Sequence, residues 1–204
     1  MTFAILIVLF SSMKNTSVRR ITGVAILLAA LIVLQTIGNY IPFQIAPNLA
    51  LIPIAIGALV YGPVAGAFLG LCNGAMVLAA PSTISTFYNY APIGTVFTCL
   101  LKCTIAGLIA GLVFNVLKKN HLKAGSVLSS VLIPVFNTGL YIAFCFTIMR
   151  NAIDANAEGQ NIVSFIFSIP LLINFVIELA LMVALTPAII KIYKIMTRID
   201  KHAL

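Results

Sequence analysis

The chain has 204 residues, of which 62% are hydrophobic and 8% are charged, and its formal net charge is +8. Soluble domains carry about 25% charged residues, so this composition excludes an ordinary water-exposed surface and indicates a protein whose outer face meets lipid. The positive charge does not indicate nucleic-acid binding, because the cations lie at the ends of apolar segments with no aromatic residues interleaved. Attraction to anionic headgroups explains that placement better.

The first residues do not form a membrane span. Residues 3–10 are apolar, but they are too few to cross a bilayer. No basic segment precedes them, so they do not indicate a signal peptide. The sequence from Met13 onward is typical of a basic cytoplasmic start, and we hypothesise that Met13 is the natural initiator. Residues 1–20 are predicted to be cytoplasmic.

The distribution of basic residues predicts the orientation of the chain. Ten of the twelve Lys and Arg residues fall within segments 14–20, 118–123 and 191–201. Cytoplasmic loops carry the Lys and Arg excess, so these segments and both termini are predicted to be cytoplasmic. The other two cations are Lys102, inside an apolar segment, and Arg150, in a predicted outside loop.

The apolar segments predict an all-α membrane protein, a compact single-domain bundle of six transmembrane helices over residues 1–204. A span needs about 20 apolar residues, and fewer where protein shields it. The predicted helices cover residues 21–37, 49–61, 64–80, 93–117, 126–149 and 163–193. The outside loops are then 39–48, 81–92 and 150–161.

Glycines recur at four-residue spacing, which predicts close helix packing. They are Gly62, Gly66, Gly70 and Gly74 around the third helix, and Gly107 and Gly111 in the fourth. Small residues on one face let helix backbones approach in lipid, where packing is the main source of association. The tight Tyr61-Gly62-Pro63 turn makes the second and third helices antiparallel neighbours.

No motif in the sequence indicates an enzyme, a metal site or a cofactor. The sequence lacks HExxH, GxSxG, paired carboxylates and the GxxxxGK[ST] phosphate loop. Both histidines lie in basic segments, and the four cysteines lie in apolar runs without CxxC spacing. The chain is therefore not expected to hydrolyse ATP by itself.

Two ionisable residues, Lys102 and Glu178, lie inside predicted spans at similar depth. A charge in a bilayer costs about 2.5–3.5 kcal/mol even on lenient scales, so each needs a partner, water or a ligand. One interpretation is a mutual ion pair that holds two helices together. The other is that one or both face a pocket for a polar solute.

Other polar residues converge on the outer half of the fourth, fifth and sixth helices, which favours a pocket. Thr95 and Thr98 open the fourth helix. The outer loop 81–92 adds aromatic and amide groups, including Phe87, that could cover a ligand. The predicted substrate-binding residues are Tyr88, Asn89, Tyr90, Thr95, Lys102, Asn137, Tyr141, Asn174 and Glu178.

Residues 19–194 resemble the substrate-binding membrane subunits, or S-components, of energy-coupling factor (ECF) vitamin transporters. The matching features are the basic start before ITGVAILLAALIVLQ, the block LALIPIAIGALVYGPVAGAFLG at 49–70, the basic loop after helix four, VFNTG at 135–139, and Pro170-x-x-x-Asn174. The resemblance implies a vitamin-binding subunit in the plasma membrane. Its partners would be a transmembrane coupling subunit and two ATPase subunits, with ATP hydrolysis resetting the cycle.

The resemblance also implies a docking motif and limits the choice of vitamin. The family's Ala-x-x-x-Ala motif for the coupling subunit falls on Ala25 and Ala29, although ordinary internal packing would also explain that spacing. Asn48 stands where riboflavin-type members often carry an acid, which argues against riboflavin. Lys102 and Arg150 could meet a carboxylate, which favours an anionic vitamin such as pantothenate.

Two other classes of protein remain open from the sequence. A non-transport membrane scaffold of similar span count would carry no vitamin. A free-standing secondary transporter would need no ATPase partners, and the lack of internal duplication argues against that class.

Overall fold

The structure is a computed structural model that describes residues 16–39, 47–157, 163, 166 and 169–201. Met13 and most of the predicted cytoplasmic start lie outside the described residues. Within them the chain is helical and contains no strand. The helices are α1 (Thr16–Asn39), α2 (Leu51–Tyr61), α3 (Pro63–Leu78), α4 (Pro81–Tyr88), α5 (Pro92–Leu117), α6 (Leu122–Phe146), α7 (Arg150–Asn156) and α8 (Ile169–Lys201).

Four of these helices, α1, α5, α6 and α8, are long and apolar enough to cross a membrane. Helices α3 and α4 meet at a bend of 66° and pass the same test together, so the described residues contain five candidate spans if this bent pair is counted as one. Helix α2 is shorter, and its last turn, Gly57–Tyr61, is a π-helix. The all-helical membrane architecture expected from the sequence is therefore confirmed.

Two predicted loops contain short helices. Helix α4 occupies most of the predicted loop 81–92, and its second half, Ile84–Tyr88, is a π-helix. Helix α7 begins at Arg150, inside the predicted loop 150–161. Polar composition indicated loops at both places, but backbone N–H groups in each segment donate to carbonyl oxygens four or five residues earlier, as Asn89 does to Ile84 and Ala157 to Ile153.

Helices α3 and α5 pack backbone to backbone through the predicted glycine face. A Cβ added to Gly66 would lie 2.7 Å from the carbonyl oxygen of Gly107. Gly70 and Gly74 lie in the same way against the backbones of Cys103 and Cys99. The prediction that this glycine spacing packs helices closely is confirmed, because no larger side chain fits at these crossings.

The turn between α2 and α3 depends on Gly62. Its φ of +100° lies in the left-handed region that only glycine adopts without strain. Pro63 then occupies the first position of α3, where its missing N–H costs no hydrogen bond. This turn makes α2 and α3 antiparallel neighbours, as the sequence predicted.

One end of the bundle is covered by α4 and α7, which contact each other. The Asn156 amide Nδ2 donates to the Thr86 carbonyl oxygen at 2.7 Å. Below this contact, Phe87 packs against a buried cluster that contains Cys145 and Ile153. The two short helices therefore form a cover over the polar residues of α5 and α6.

Candidate functional site

Lys102 lies inside the bundle and faces an aromatic ring. It is ten residues beyond the start of α5, roughly 15 Å along the helix at 1.5 Å per residue. Its Nζ atom is 5.3 Å from the centroid of the Tyr141 ring on α6. A ring face at this distance attracts a cation and offsets part of the cost of removing it from water. The ammonium group still has hydrogen-bonding capacity for an anion.

Phe87 extends this aromatic group toward the cover. Its ring meets the Tyr141 ring edge to face, with centroids 6.4 Å apart and an interplanar angle of 80°. This is a favoured aromatic geometry. The contact joins α4 to α6, so Phe87 lies between Tyr141 and the end of the bundle that α4 and α7 cover. Lys102, Tyr141 and Phe87 thus form one continuous group from three helices.

Glu178 on α8 is buried, at 6% exposure, and is held by the backbone of a distant segment. Its Oε1 atom accepts a hydrogen bond from the Asn48 backbone N–H at 2.8 Å. Its Oε2 atom is buried and has no hydrogen-bond partner among the described residues. Lys102 is near enough to act on Glu178 electrostatically, but their atoms are not within the 4.0 Å of an ion pair.

A chain of hydrogen bonds crosses the core beside Lys102. The Asn73 amide Nδ2 donates to Cys103 Sγ at 3.2 Å, and Cys103 Sγ–H donates to Asn137 Oδ1 at 3.1 Å. Asn73 and Cys103 are fully buried, and Asn137 is 6% exposed. The Asn73 Oδ1 atom has no partner among the described residues. This chain joins α3, α5 and α6 one residue from Lys102 and one turn from Tyr141.

Asn73 and Cys103 are site candidates that the sequence reasoning missed. Asn73 carries the only amide side chain of α3, which is otherwise apolar. An isolated amide in an apolar helix could have identified Asn73 as a candidate from the sequence. Cys103 was predicted to be a packing residue, yet it also bridges two amides. A cysteine that bridges two amides as a weak hydrogen-bond donor and acceptor cannot be recognised from the sequence, because no residue spacing marks it.

The structure distributes the other predicted site residues differently. The Thr95 hydroxyl donates to the Ala91 carbonyl of its own helix at 2.8 Å, so that donor is already used. Asn174 is half-buried one turn before Glu178. The loop residues predicted to cover a ligand have exposed side chains, with Tyr88 41% and Tyr90 51% exposed and Asn89 also exposed.

Arg150, a second cation considered for an anionic ligand, lies on the surface. Its Nε atom is 3.8 Å from Asp154 Oδ2 in the same short helix, and both side chains are at least half exposed. Exposed pairs of this kind contribute about 0–1 kcal/mol, so Arg150 is not fixed in place. Lys102, in contrast, is half-buried inside the bundle.

Ala25 and Ala29 are exposed on α1. Ala25 also lines a groove of about 980 Å³ between α1 and the turn from α2 into α3, called here the α1–α3 groove. Arg20 and Lys118 line the same groove. It lies at the end of α5 that carries Lys118, whereas α4 and Phe87 cover the opposite end.

These features define a class of protein: a helical membrane protein with several spans, whose interior polar groups are not all used by the protein itself. Among the described residues, no group of His, Cys, Asp or Glu could hold a metal ion. Among the described residues, the interior groups that have no hydrogen-bond or ion-pair partner include the ammonium of Lys102, a carboxylate oxygen of Glu178 and the amide oxygen of Asn73. Such a set can bind a small molecule that carries an anion and hydrogen-bond donors.

Comparison with known proteins gives the family. Residues 19–190 match the model of the family "ECF transporter, substrate-specific component", and the chain belongs to this family. It is therefore a substrate-binding subunit of an ECF-type vitamin importer and a multi-pass protein of the plasma membrane. The family role is that of a transporter component, which agrees with the absence of catalytic motifs.

One curated relative is the pantothenic acid transporter PanT of Lactococcus lactis subsp. cremoris (strain MG1363). It is 26% identical over 195 residues, which cover 87% of this chain and 95% of the relative. No solved structure matches the chain.

Proposed function

We propose that this substrate-binding subunit binds pantothenate, and that Lys102 receives its carboxylate. The observation that carries the proposal is a half-buried ammonium group that faces the Tyr141 ring and, among the described residues, has no acidic partner within ion-pair distance. An unneutralised cation inside a membrane protein is costly, so it indicates an anionic ligand. The similarity to a pantothenic acid transporter supports the same substrate.

The remaining groups fit the rest of the pantothenate molecule, which has an amide and two hydroxyl groups. The free Oε2 of Glu178 and Oδ1 of Asn73 can accept hydrogen bonds from those donors. Asn137 and Tyr141 offer further polar groups beside Lys102. The proposed site also includes Thr95 and Asn174, and at its periphery Tyr88, Asn89 and Tyr90, whose side chains are exposed.

The proposed membrane topology has six spans and both termini in the cytoplasm, in one domain. Helix α2 then counts as a short span, which is acceptable because protein shields most of it: Leu51, Ile54 and Ala58 are fully buried. Helices α3 and α4 together form the next span. The three basic segments fall on one side in this arrangement, in agreement with the positive-inside rule.

The proposed partners are a transmembrane coupling subunit and two ATPase subunits, and the coupling subunit docks at Ala25 and Ala29. Both side chains are exposed one helical turn apart, which allows a second helix to approach closely. The chain lacks a phosphate loop of its own, so it needs ATPase partners for ATP-driven uptake.

Binding is tested by equilibrium dialysis of the purified protein against labelled pantothenate, with riboflavin, thiamin and biotin as unlabelled competitors. We expect one pantothenate per chain and displacement by none of the three competitors. Displacement by another vitamin, or no pantothenate binding by protein that remains folded, would show that the substrate assignment is wrong while leaving the family intact.

Docking is tested separately with Ala25→Trp and Ala29→Trp. Each bulky side chain should leave pantothenate binding unchanged and abolish ATP-dependent uptake by the assembled transporter. Val183→Trp is the matched control, because Val183 is 49% exposed on α8 and is not part of the proposed docking motif. Normal uptake by both α1 variants would reject the docking face.

A further inference from the structure

The α1–α3 groove combines an apolar length with a basic end. Its apolar lining includes Ile21 and Leu28 on α1 and Val64 and Phe68 on α3. Ile21 is 71% exposed and Val64 is 78% exposed, so the groove opens toward the lipid side of the bundle. From Arg20 to Leu28 it follows α1 for roughly 12 Å at 1.5 Å per residue.

Two cations from different parts of the chain, Arg20 and Lys118, line this groove. Arg20 Nη2 donates to the Tyr61 carbonyl oxygen at 3.0 Å, which fixes the guanidinium beside the turn into α3. Lys118 Nζ donates to Asn115 Oδ1 at 2.7 Å and lies 5.9 Å from the centroid of the Phe114 ring. These partners orient both cations, but all of them are neutral.

Among the residues that the structure describes, no acidic side chain neutralises this basic end. The acids whose side chains the structure describes are Asp154 and Glu178, and neither of them lines the groove. Two oriented cations at the mouth of an apolar groove complement a molecule with a negative head and a hydrocarbon tail. A cationic or zwitterionic lipid would gain less from this pair of charges.

We propose that the α1–α3 groove of the solitary subunit binds one anionic phospholipid. The phosphate lies between Arg20 and Lys118, where charge-assisted hydrogen bonds can form. One acyl chain lies along Ile21, Leu28 and Phe68, in a groove of about 980 Å³. The site is separate from Lys102, which lies toward the opposite end of α5.

The groove also bears on coupling, because Ala25 is part of its lining. A helix docked at Ala25 would have to displace the lipid, so the two occupants exclude each other. That consequence rests on the proposed function, whereas the lipid site itself does not. Work on the solitary subunit therefore tests the lipid site independently of pantothenate and of the coupling subunit.

Native mass spectrometry of the detergent-purified full chain measures the site directly. The probes are palmitoyl-oleoyl phosphatidylglycerol, phosphatidylcholine with the same acyl chains, and glycerol phosphate as a headgroup without a tail. We expect one phosphatidylglycerol to be retained per chain, in clear preference to phosphatidylcholine. Glycerol phosphate should not be retained, because most of the groove is apolar.

The double variant Arg20→Gln/Lys118→Gln should bind phosphatidylglycerol roughly 25-fold more weakly, since each cation near an anionic lipid contributes about fivefold. Lys119→Gln/Lys123→Gln is the matched control. Both of these lysines are exposed in the same basic segment and neither lines the groove. The control should bind the lipid as the wild type does.

A second variant tests the apolar part of the groove with both cations intact. Ala65→Phe adds a ring to the groove lining and should displace the acyl chain, reducing retention of phosphatidylglycerol. Equal loss in the double variant and its control would show that only overall charge matters and would overturn the site. The site would also be overturned if phosphatidylcholine were retained as well as phosphatidylglycerol, or if glycerol phosphate were retained. The same holds if Ala65→Phe retained phosphatidylglycerol as strongly as the wild type does.

Discussion

Replacing Lys102 by Met removes the charge and keeps most of the side-chain volume, so it isolates the proposed ion contact with the substrate. Two unit charges 4 Å apart interact by about 1 kcal/mol in water and about 4 kcal/mol at the effective dielectric of a protein surface site. Lys102 is half-buried, which places its contact between those limits. Hydrogen bonds to charged groups contribute about 1.5–3 kcal/mol, so pantothenate should bind roughly 10- to 100-fold more weakly.

A neutral analogue separates loss of charge from loss of structure. Pantothenol carries a hydroxymethyl group where pantothenate carries its carboxylate. The wild type should prefer pantothenate by the same factor, roughly 10- to 100-fold, because only the carboxylate gains from Lys102. Lys102→Met should bind the two molecules about equally, and its affinity for pantothenol should stay within about threefold of wild type.

Isothermal titration calorimetry of both ligands with both proteins completes this cycle. Lys119→Met serves as the charge-matched control, because Lys119 is exposed at the basic end of α5. The reasoning is refuted if Lys102→Met weakens both ligands equally, which would indicate a structural effect. It is refuted as well if pantothenate affinity does not change.

Three further outcomes follow from the contacts around Lys102 and from the glycine interface. Asn137→Ala should weaken pantothenate binding about tenfold while the protein stays folded, and calorimetry with a melting curve checks both points. Phe87→Ala should accelerate pantothenate release about tenfold and Tyr88→Ala no more than about threefold, because Phe87 packs against Tyr141 in the proposed site and Tyr88 is exposed. Dissociation rates measured by filter binding check this, and a faster release from Tyr88→Ala than from Phe87→Ala would contradict it. Gly70→Val should destabilise the bundle by about 1–3 kcal/mol and lower its Tm by roughly 2–12 °C, because the added side chain would meet the α5 backbone. Gly139→Val should leave the Tm unchanged, because a side chain at Gly139 would point into open space, and equal melting of the two variants would count against the packing.

The helices were largely predictable because hydrophobic length and turn residues determine them. The fourth predicted helix, 93–117, differs from α5 by one residue, and the third, 64–80, differs from α3 by a residue or two at each end. The turn at Gly62 was also predictable, since the Gly-Pro pair allows few backbone conformations. Helices α4 and α7 were not, because short helices at span ends lack both length and periodicity.

The partners of the polar residues could not be predicted. Helix α5 is apolar on all sides, so hydrophobic periodicity does not show which face is inside. Lys102 and Glu178 lie at similar depth, which made an ion pair plausible. In the structure Lys102 faces Tyr141, and Glu178 accepts from a backbone N–H 130 residues away in sequence. Such long-range contacts depend on how the helices are arranged, and depth alone does not determine that.

The most direct test of the proposed site is an experimental structure of the protein with pantothenate bound. We expect the pantothenate carboxylate to lie within about 4 Å of Lys102 Nζ, the usual limit for an ion pair. Its hydroxyl or amide donors should be directed toward Glu178 and Asn73. A pantothenate molecule bound in the α1–α3 groove, or bound with its carboxylate away from Lys102, would contradict the assignment.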